Sequence, residues 1–353
     1  MMPSSPQPSD LIAVDVGGAN LKAADGAGWA HGEPFPLWRE PERLTEVLSL
    51  LVGRQSLGRL VATMTGEIAD CFTSREEGVA HIVAAVEVAA AAAGATPGIY
   101  LLEREAGLPL RGRIAPPGEA VDRPLAAAAS NWHAVARLAA AFAPTGRCLL
   151  MDIGSTTTDL VAIADGSPVP LAEDDAGRMA TGELVYTGIE RTPVAAIVRS
   201  LPHDGRRRPV SAERFADSRD AWIVVGGLPE TPQSCDTADG RPATRAAAQA
   251  RLARMILVEP AGFSVTDAAV AATWIVTAQA RLVARSCERV ARSHGWRPTS
   301  VVLSGHGTPL ARLALDHLGW QPALVSLPER LGPAISRVAP AHALARIARG
   351  DLA

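Results

Sequence analysis

Residues 148–165 read CLLMDIGSTTTDLVAIAD. An apolar run, 149–151, ends at Asp152. Gly154, Ser155, Thr156, Thr157 and Thr158 follow, then Asp159 and a second apolar run, 160–163, closed by Asp165-Gly166. The pattern predicts a strand, a tight polar turn and a second strand. The tip offers backbone N–H groups and hydroxyl donors, with a carboxylate on each side. That set suits phosphate oxygens, with a magnesium ion near the carboxylates. An ordinary hairpin turn rich in Ser and Thr fits the same letters.

The first half of the chain repeats the device. Residues 11–25 read LIAVDVGGANLKAAD: an apolar strand ends in Asp15, Gly17 and Gly18 make the turn, and Asn20 opens a second short strand. Lys22, on that strand, is the sole lysine of the chain. A third piece, 300–310 (SVVLSGHGTPL), runs from a buried-type strand through Gly305 and Gly307 into a helix. This trio resembles the acetate and sugar kinase/heat-shock/actin superfamily. The resemblance implies an α/β protein of two ribonuclease-H-like domains facing a phosphate-binding cleft, the actin-like ATPase fold. It also implies that the Gly305/Gly307 pair lines the far end of the ligand.

Composition sets limits. The 353 residues have room for two domains, and 48% hydrophobic with 20% charged residues is ordinary for a globular protein. A net charge of −3 argues against broad nucleic-acid binding. The four cysteines, Cys71, Cys148, Cys235 and Cys287, form no C-x-x-C pair, as expected in a reducing, cytoplasmic setting without a disulfide framework. Residues 1–10 are polar and rich in Pro and Ser, with no basic or apolar leader, and read as a disordered tail. No uncharged apolar run reaches about 18 residues, so no membrane span is expected.

The expected organisation is an N-terminal domain over 11–147 and a C-terminal domain over 148–353 enlarged by helical insertions. Strands are expected at 11–16, 21–24, 59–64, 98–102, 300–304 and 323–327, with an edge strand within 29–38 and another strand at 221–225. Helices are expected over 42–53, 78–93, 131–142, 244–257, 265–294, 308–318 and 333–348. Residues 202–209, with Arg206, Arg207 and Arg208, read as a solvated loop.

Several side chains are candidates for chemistry. In 64–79 (MTGEIADCFTSREEGV), Thr65 and Gly66 lie at a strand end, where open α/β sheets face their ligand. Glu67 and Asp70, three apart, share a face if the turn is helical, and two carboxylates there can bind a metal or accept a proton. The same acids also suit a helix N-terminus. Arg75 crowds this loop. Asn131 and Trp132 open a helix beside Ser130; a Trp there serves either a core or an aromatic substrate wall. Glu183 lies in a Gly-punctuated insertion, 168–192, that can fold over the cleft.

Longer strings narrow the match. DVGGANLK, MTGEIADCF followed by REEGV, SNWHA, DIGSTTTDLVAI, TGELVYTGIERTP, TADGRP and RLARM, spread over 11–255, resemble the hydantoinase A/oxoprolinase-like family linked to tetrahydromethanopterin one-carbon metabolism. Its archaeal members include the methanofuran-biosynthesis coupling enzyme, a furanylmethanamine synthase. The resemblance implies a transferase joining an aminomethyl-furanylmethyl diphosphate to the phenol oxygen of a tyramine- or tyrosine-type acceptor, with release of diphosphate. Under it, Asp15 and Asp152 hold Mg2+, and Glu67, Asp70 and Asp159 are candidates for assisting phenol deprotonation. Gly17, Gly18, Asn20, Lys22, Arg75, Gly154, Ser155, Thr156 and Thr157 bind phosphate. Thr65, Gly66, Asn131, Trp132, Glu183, Gly305 and Gly307 line the substrates, which are small molecules. The alternative is an ATP-dependent kinase or a hydantoinase-type hydrolase, with ATP as co-substrate.

Overall fold

The computed structural model describes residues 10–53, 57–105 and 109–352. The expected disordered tail therefore lies outside the described residues, except for Asp10. Six strands build the first sheet: β1 (Leu11–Val16), β2 (Asn20–Ala24), β3 (Ala30–Pro34), β4 (Arg59–Met64), β5 (Thr96–Glu103) and β6 (Arg111–Ala115), in the order β3-β2-β1-β4-β5-β6. β1 pairs antiparallel with β2 and parallel with β4, and β4 pairs parallel with β5. The second sheet uses β7 (Arg147–Ile153), β8 (Thr158–Ala164), β9 (Ser167–Pro168), β10 (Leu184–Val185), β13 (Ser300–Gly305) and β14 (Ala323–Ser326). Its central order is β8-β7-β13-β14, again antiparallel, parallel, parallel. Two sheets with the same wiring are the ribonuclease-H-like halves expected from the sequence.

The central strands are apolar almost throughout, as strands covered on both faces require. One core packs the helices Leu44–Val52 and Arg75–Ala92 on the first sheet. A larger one packs Ser218–Val224, Arg245–Met255, Val265–Ser293 and Thr308–Leu318 on the second. A third core joins the halves: Leu11, Ala13 and Val61 of the first sheet share it with Leu150, Val161 and Val302 of the second. Helices Asn131–Phe142 and Ala339–Ala348 fill the space between them, so the C-terminus of the chain returns to the N-terminal sheet.

Three expectations are corrected. Residues 221–225 are not a strand. Residues 221–224 lie in the helix Ser218–Val224 and Val225 is its C-cap; the helix starts at a capping box between Asp217 and Asp220. Residues 202–209 are not a loop but most of the hairpin formed by β11 (Ser200–His203) and β12 (Arg206–Pro209). Asp204 and Gly205 turn it with φ of 49° and 67°, the left-handed pair a two-residue hairpin loop needs. The last helix is broken at Val338 into Pro333–Arg337 and Ala339–Ala348, because Pro340 starts a new first turn. Strand β6 was not foreseen in the sequence.

Leu344 is fully buried where the third core joins both sheets. Leu344→Ala is expected to cost about 3 kcal/mol and to lower the urea midpoint of both halves together, read by circular dichroism and tryptophan fluorescence.

Candidate active site

The strand register builds the site. Across β1 and β2, Asp15 stands opposite Lys22; across β7 and β8, Asp152 stands opposite Asp159. The parallel neighbours match as well, Thr63 beside Asp15 and Ser304 beside Asp152. Each hairpin thus brings an acid from the end of its first strand to an ionisable partner on its second.

The turns are equivalent too. The amides of Gly17 and Gly154 donate to Asn20 and Thr157 carbonyls, each at 3.0 Å. The Val16 carbonyl accepts from the amides of Thr65 and Gly66, and the Ile153 carbonyl from those of His306 and Gly307. The tip carbonyls are covered by neighbouring loops: Phe35 and Leu37 donate to Ala19 and Gly18, while Ile189, Glu190 and Arg191 donate to Gly154 and Ser155. No acceptor among the described residues takes the amides of Gly18, Ala19, Ser155 or Thr156. A tip with occupied carbonyls and open amides has the donor set that suits an anion.

Lys22 donates to Asp15 Oδ2 at 3.0 Å. Burial works against its charge, but Asp15, then Asp152 and Asp159, outweigh it and hold the ammonium above its ordinary range. Burial and the neighbouring Asp159 push Asp152 up to about 6, against the pull of Ser304, Lys22 and His306. Asp159 is also raised by burial, opposed by Arg178, whose Nη1 lies 2.9 Å from Asp159 Oδ1.

Arg178 was not foreseen. It sits on the helix Asp175–Thr181, is 1% exposed, and stacks over Trp132 with 4.1 Å between guanidinium carbon and ring centroid. Its only sequence signal is its place in the insertion after the second hairpin. The same insertion crosses to the first half, where Asp175 accepts from Arg75 at 2.9 Å and Glu173 pairs with Arg104.

Under this strap lies Glu67, 1% exposed, with neither carboxylate oxygen hydrogen-bonded and Arg75 Nη1 3.7 Å away. Burial pushes its carboxyl up to about 7, against the pull of Arg75. Gly78 permits this burial: a Cβ there would lie 2.2 Å from the Glu67 carbonyl oxygen, so the helix Arg75–Ala92 packs directly on the Glu67 backbone.

Other candidates land elsewhere. Asp70 is exposed and does not share the buried face of Glu67, because 66–72 fold as successive turns, not a helix. Glu183 turns away from the cleft; it accepts from the amides of Leu171 and Ala172 and from the Thr181 hydroxyl, and so shapes its own insertion. Trp132 is 2% exposed and belongs to the core under Arg178, not to an open aromatic wall. Asn131 is half-buried at the start of its helix. Gly305 and Gly307 press against β7, where added Cβ atoms would lie 2.3 Å from the Ile153 carbonyl and 2.1 Å from its side chain. Close packing alone therefore accounts for both. Arg75 is engaged by Glu67 and Asp175.

Mg2+ fits the donor set in one form. Among the described residues no cluster of three or more His, Cys, Asp or Glu could hold a metal. Asp15 nevertheless keeps a buried Oδ1 without a partner, and Asp152 lies at the equivalent position of the other hairpin. One or two carboxylates completed by substrate phosphate and water are the usual Mg2+ arrangement.

Two facing halves with open-amide hairpins over an acid-lined cleft define the actin-like ATPase fold class. The chain belongs to the hydantoinase/oxoprolinase family, whose model matches residues 59–349. The (4-{4-[2-(gamma-L-glutamylamino)ethyl]phenoxymethyl}furan-2-yl)methanamine synthase of Methanocaldococcus jannaschii is 27% identical over 345 residues, 97% of this chain and 98% of that one. The protein of the same name from Methanococcus vannielii is 27% identical over 207 residues, 58% of this chain and 92% of its own. Among solved structures, nucleotide-free acetone carboxylase aligns with 88% of this chain and 46% of its own, at 15% identity and a TM-score of 0.48. No helix among the described residues is long and apolar enough to cross a membrane.

The raised carboxyl of Glu67 links to stability. The folded state keeps its proton to higher pH than the unfolded chain, so its stabilising effect is complete below about pH 4.5 and is lost as pH rises through about 7. Glu67→Gln removes that loss. Relative to wild type, the variant is expected to gain on the order of 3 kcal/mol between pH 4.5 and pH 8, measured by urea unfolding across the range. A constant difference would show that Glu67 ionises normally.

Proposed function

We propose that the chain is a transferase of methanofuran-type cofactor biosynthesis. It couples an aminomethyl-furanylmethyl diphosphate to the phenol oxygen of a tyramine- or tyrosine-type acceptor. The observation that carries this reading is the likeness to the furanylmethanamine synthase of M. jannaschii, which spans both chains almost end to end. Glu67 supplies a group suited to that chemistry: a buried carboxyl held at about 7 beside the cleft.

In the proposed reaction the furanylmethyl carbon–oxygen bond breaks with its electron pair leaving on diphosphate. The furan ring stabilises the positive charge on carbon. The phenol oxygen forms the new bond and its proton passes to the Glu67 carboxylate. An ordinary phenol, with pKa about 10, needs such help at neutral pH. The open amides of Gly18, Ala19, Ser155 and Thr156 hold phosphate oxygens, and Lys22 holds positive charge on the cleft floor. Asp15 and Asp152 would hold Mg2+, which would neutralise charge on the departing diphosphate. Arg178, stacked on Trp132, keeps Asp159 paired at the cleft edge.

Membership of the hydantoinase/oxoprolinase family favours a second reading, an ATP-dependent kinase or hydrolase using the same hairpins for nucleotide phosphates.

The test is a product assay with Mg2+ and the furanylmethyl diphosphate, offered tyramine, γ-glutamyltyramine or tyrosine, and in a separate arm ATP. A coupled ether with one diphosphate released per turnover supports the transferase. ADP formed from ATP without coupling replaces it by the second reading. Asp152→Ala is expected to abolish turnover while remaining folded. Glu67→Gln is expected to lower kcat by about 10²–10⁴-fold. In the wild type, rate should rise with pH through about 7 as Glu67 loses its proton; a kcat profile identical in Glu67→Gln would remove it as the base.

A further inference from the structure

The two ends of the cleft differ in charge. At the Glu67 end, Arg75 and Arg178 meet Glu67, Asp175 and Asp159. At the tip of the second hairpin, basic side chains from three separate stretches gather around one carboxylate, Glu190. Arg219 Nη2 donates to Glu190 Oε2 at 2.6 Å; His306 Nε2 and Arg337 Nη2 lie 3.4 and 3.6 Å from Glu190 Oε1. Arg191 follows Glu190 directly, and its guanidinium reaches Asp236 only at 3.8 Å.

The backbone fixes this group to the hairpin. Glu190 and Arg191 both donate to the Ser155 carbonyl, at 3.1 and 2.8 Å, and His306 donates to Ile153. Glu190, Arg191 and His306 are therefore built against the tip whose Ser155 and Thr156 amides are open.

The arrangement sets three arginines, Arg191, Arg219 and Arg337, against two carboxylates, Glu190 and Asp236. Arg219 alone satisfies Glu190 Oε2 at hydrogen-bond distance, while Arg337 is 61% exposed, stands off at 3.6 Å and gains little from the contact. Arg337 also comes from the short helix Pro333–Arg337, which rests on both β3 of the first half and β13 of the second. A guanidinium placed there can reach an oxyanion seated on the tip in forked geometry.

We propose that the second hairpin tip, together with Arg191, Arg219, His306 and Arg337, is the seat of a diphosphate group, and that Glu190 keeps Arg219, His306 and Arg337 in place until the anion arrives. The inference rests on the transferase reading for the identity of the anion. It deepens that reading by fixing the direction of the substrates. The diphosphate runs from the Glu190 end onto the floor of Asp15, Lys22 and Asp152, the reacting carbon lies between that floor and Glu67, and the phenol lies at the Glu67 end. Arg75 then belongs to the acceptor side, not to the phosphate.

The experiment is calorimetric binding of inorganic diphosphate with Mg2+ to wild type, Arg337→Ala, Arg191→Ala and Arg75→Ala. Arg337 is exposed and Arg191 half-exposed, so neither substitution opens the core. Each is expected to weaken diphosphate binding by about tenfold, with Arg75→Ala binding as wild type. In the coupling assay the same two variants should raise KM for the furanylmethyl diphosphate and leave KM for the phenol unchanged. Wild-type affinity in both variants, loss of affinity in Arg75→Ala, or no diphosphate binding by the wild type would each overturn the assignment. If the wild type couples no phenol but Arg337→Ala and Arg191→Ala still lose diphosphate, the transferase reading fails and the anion seat stands.

Discussion

A single ammonium, Lys22, holds the cleft floor together. It bonds Asp15 on its own hairpin and lies in the field of Asp152 and Asp159 on the other. Opposite unit charges 4 Å apart interact by about 4 kcal/mol near a protein surface, and the part-exposed position of Lys22 reduces that through solvent. Three carboxylates facing one another across two hairpins would otherwise repel. The residual effect of that repulsion is visible in Asp152, which burial and Asp159 together hold near 6.

The halves are alike in their hairpins and unlike in their surroundings. Val16 and Ile153 offer their carbonyls to the same kind of loop, and both turns close through the same amide contact. What differs is the chain added after the second hairpin. Its first part, 173–183, straps across to Arg75 and Arg104 beside the buried Glu67. Its next part brings Glu190 and Arg191 onto the tip, and the helix Ser218–Val224 delivers Arg219 beside them. Two hairpins of matching wiring are thereby given a buried acid beside one and a basic group beside the other.

Buried polar networks fix the added helices in place. Arg251, fully buried, donates to Asp220 and Asp239, while Gln279 links Trp222 to the Gly188 carbonyl. Gly188 lies so close to Ser155 that a Cβ would stand 2.5 Å from its backbone. The helices thus bear on the hairpin tip through Gly188. Breaking one member of such a network would leave its partner charged and unpaired in the core.

The sequence alone determined the two hairpins, the repeat of their wiring and the places of Asp15, Lys22, Asp152 and Asp159 within them. Each lies at a strand end or in a strand pair whose register follows from period-two geometry over a few residues. Only the tertiary structure decided which side of a turn faces the cleft. Asp70, three residues from Glu67, went to solvent; Glu183 turned back onto its own loop; and Trp132 went under Arg178. It alone also brought together Glu67 with Asp175 through Arg75, and Glu190 with His306 and Arg337, residues separated by 100 or more positions. Contacts of that range depend on how whole helices and sheets pack, and no local pattern of letters encodes the result.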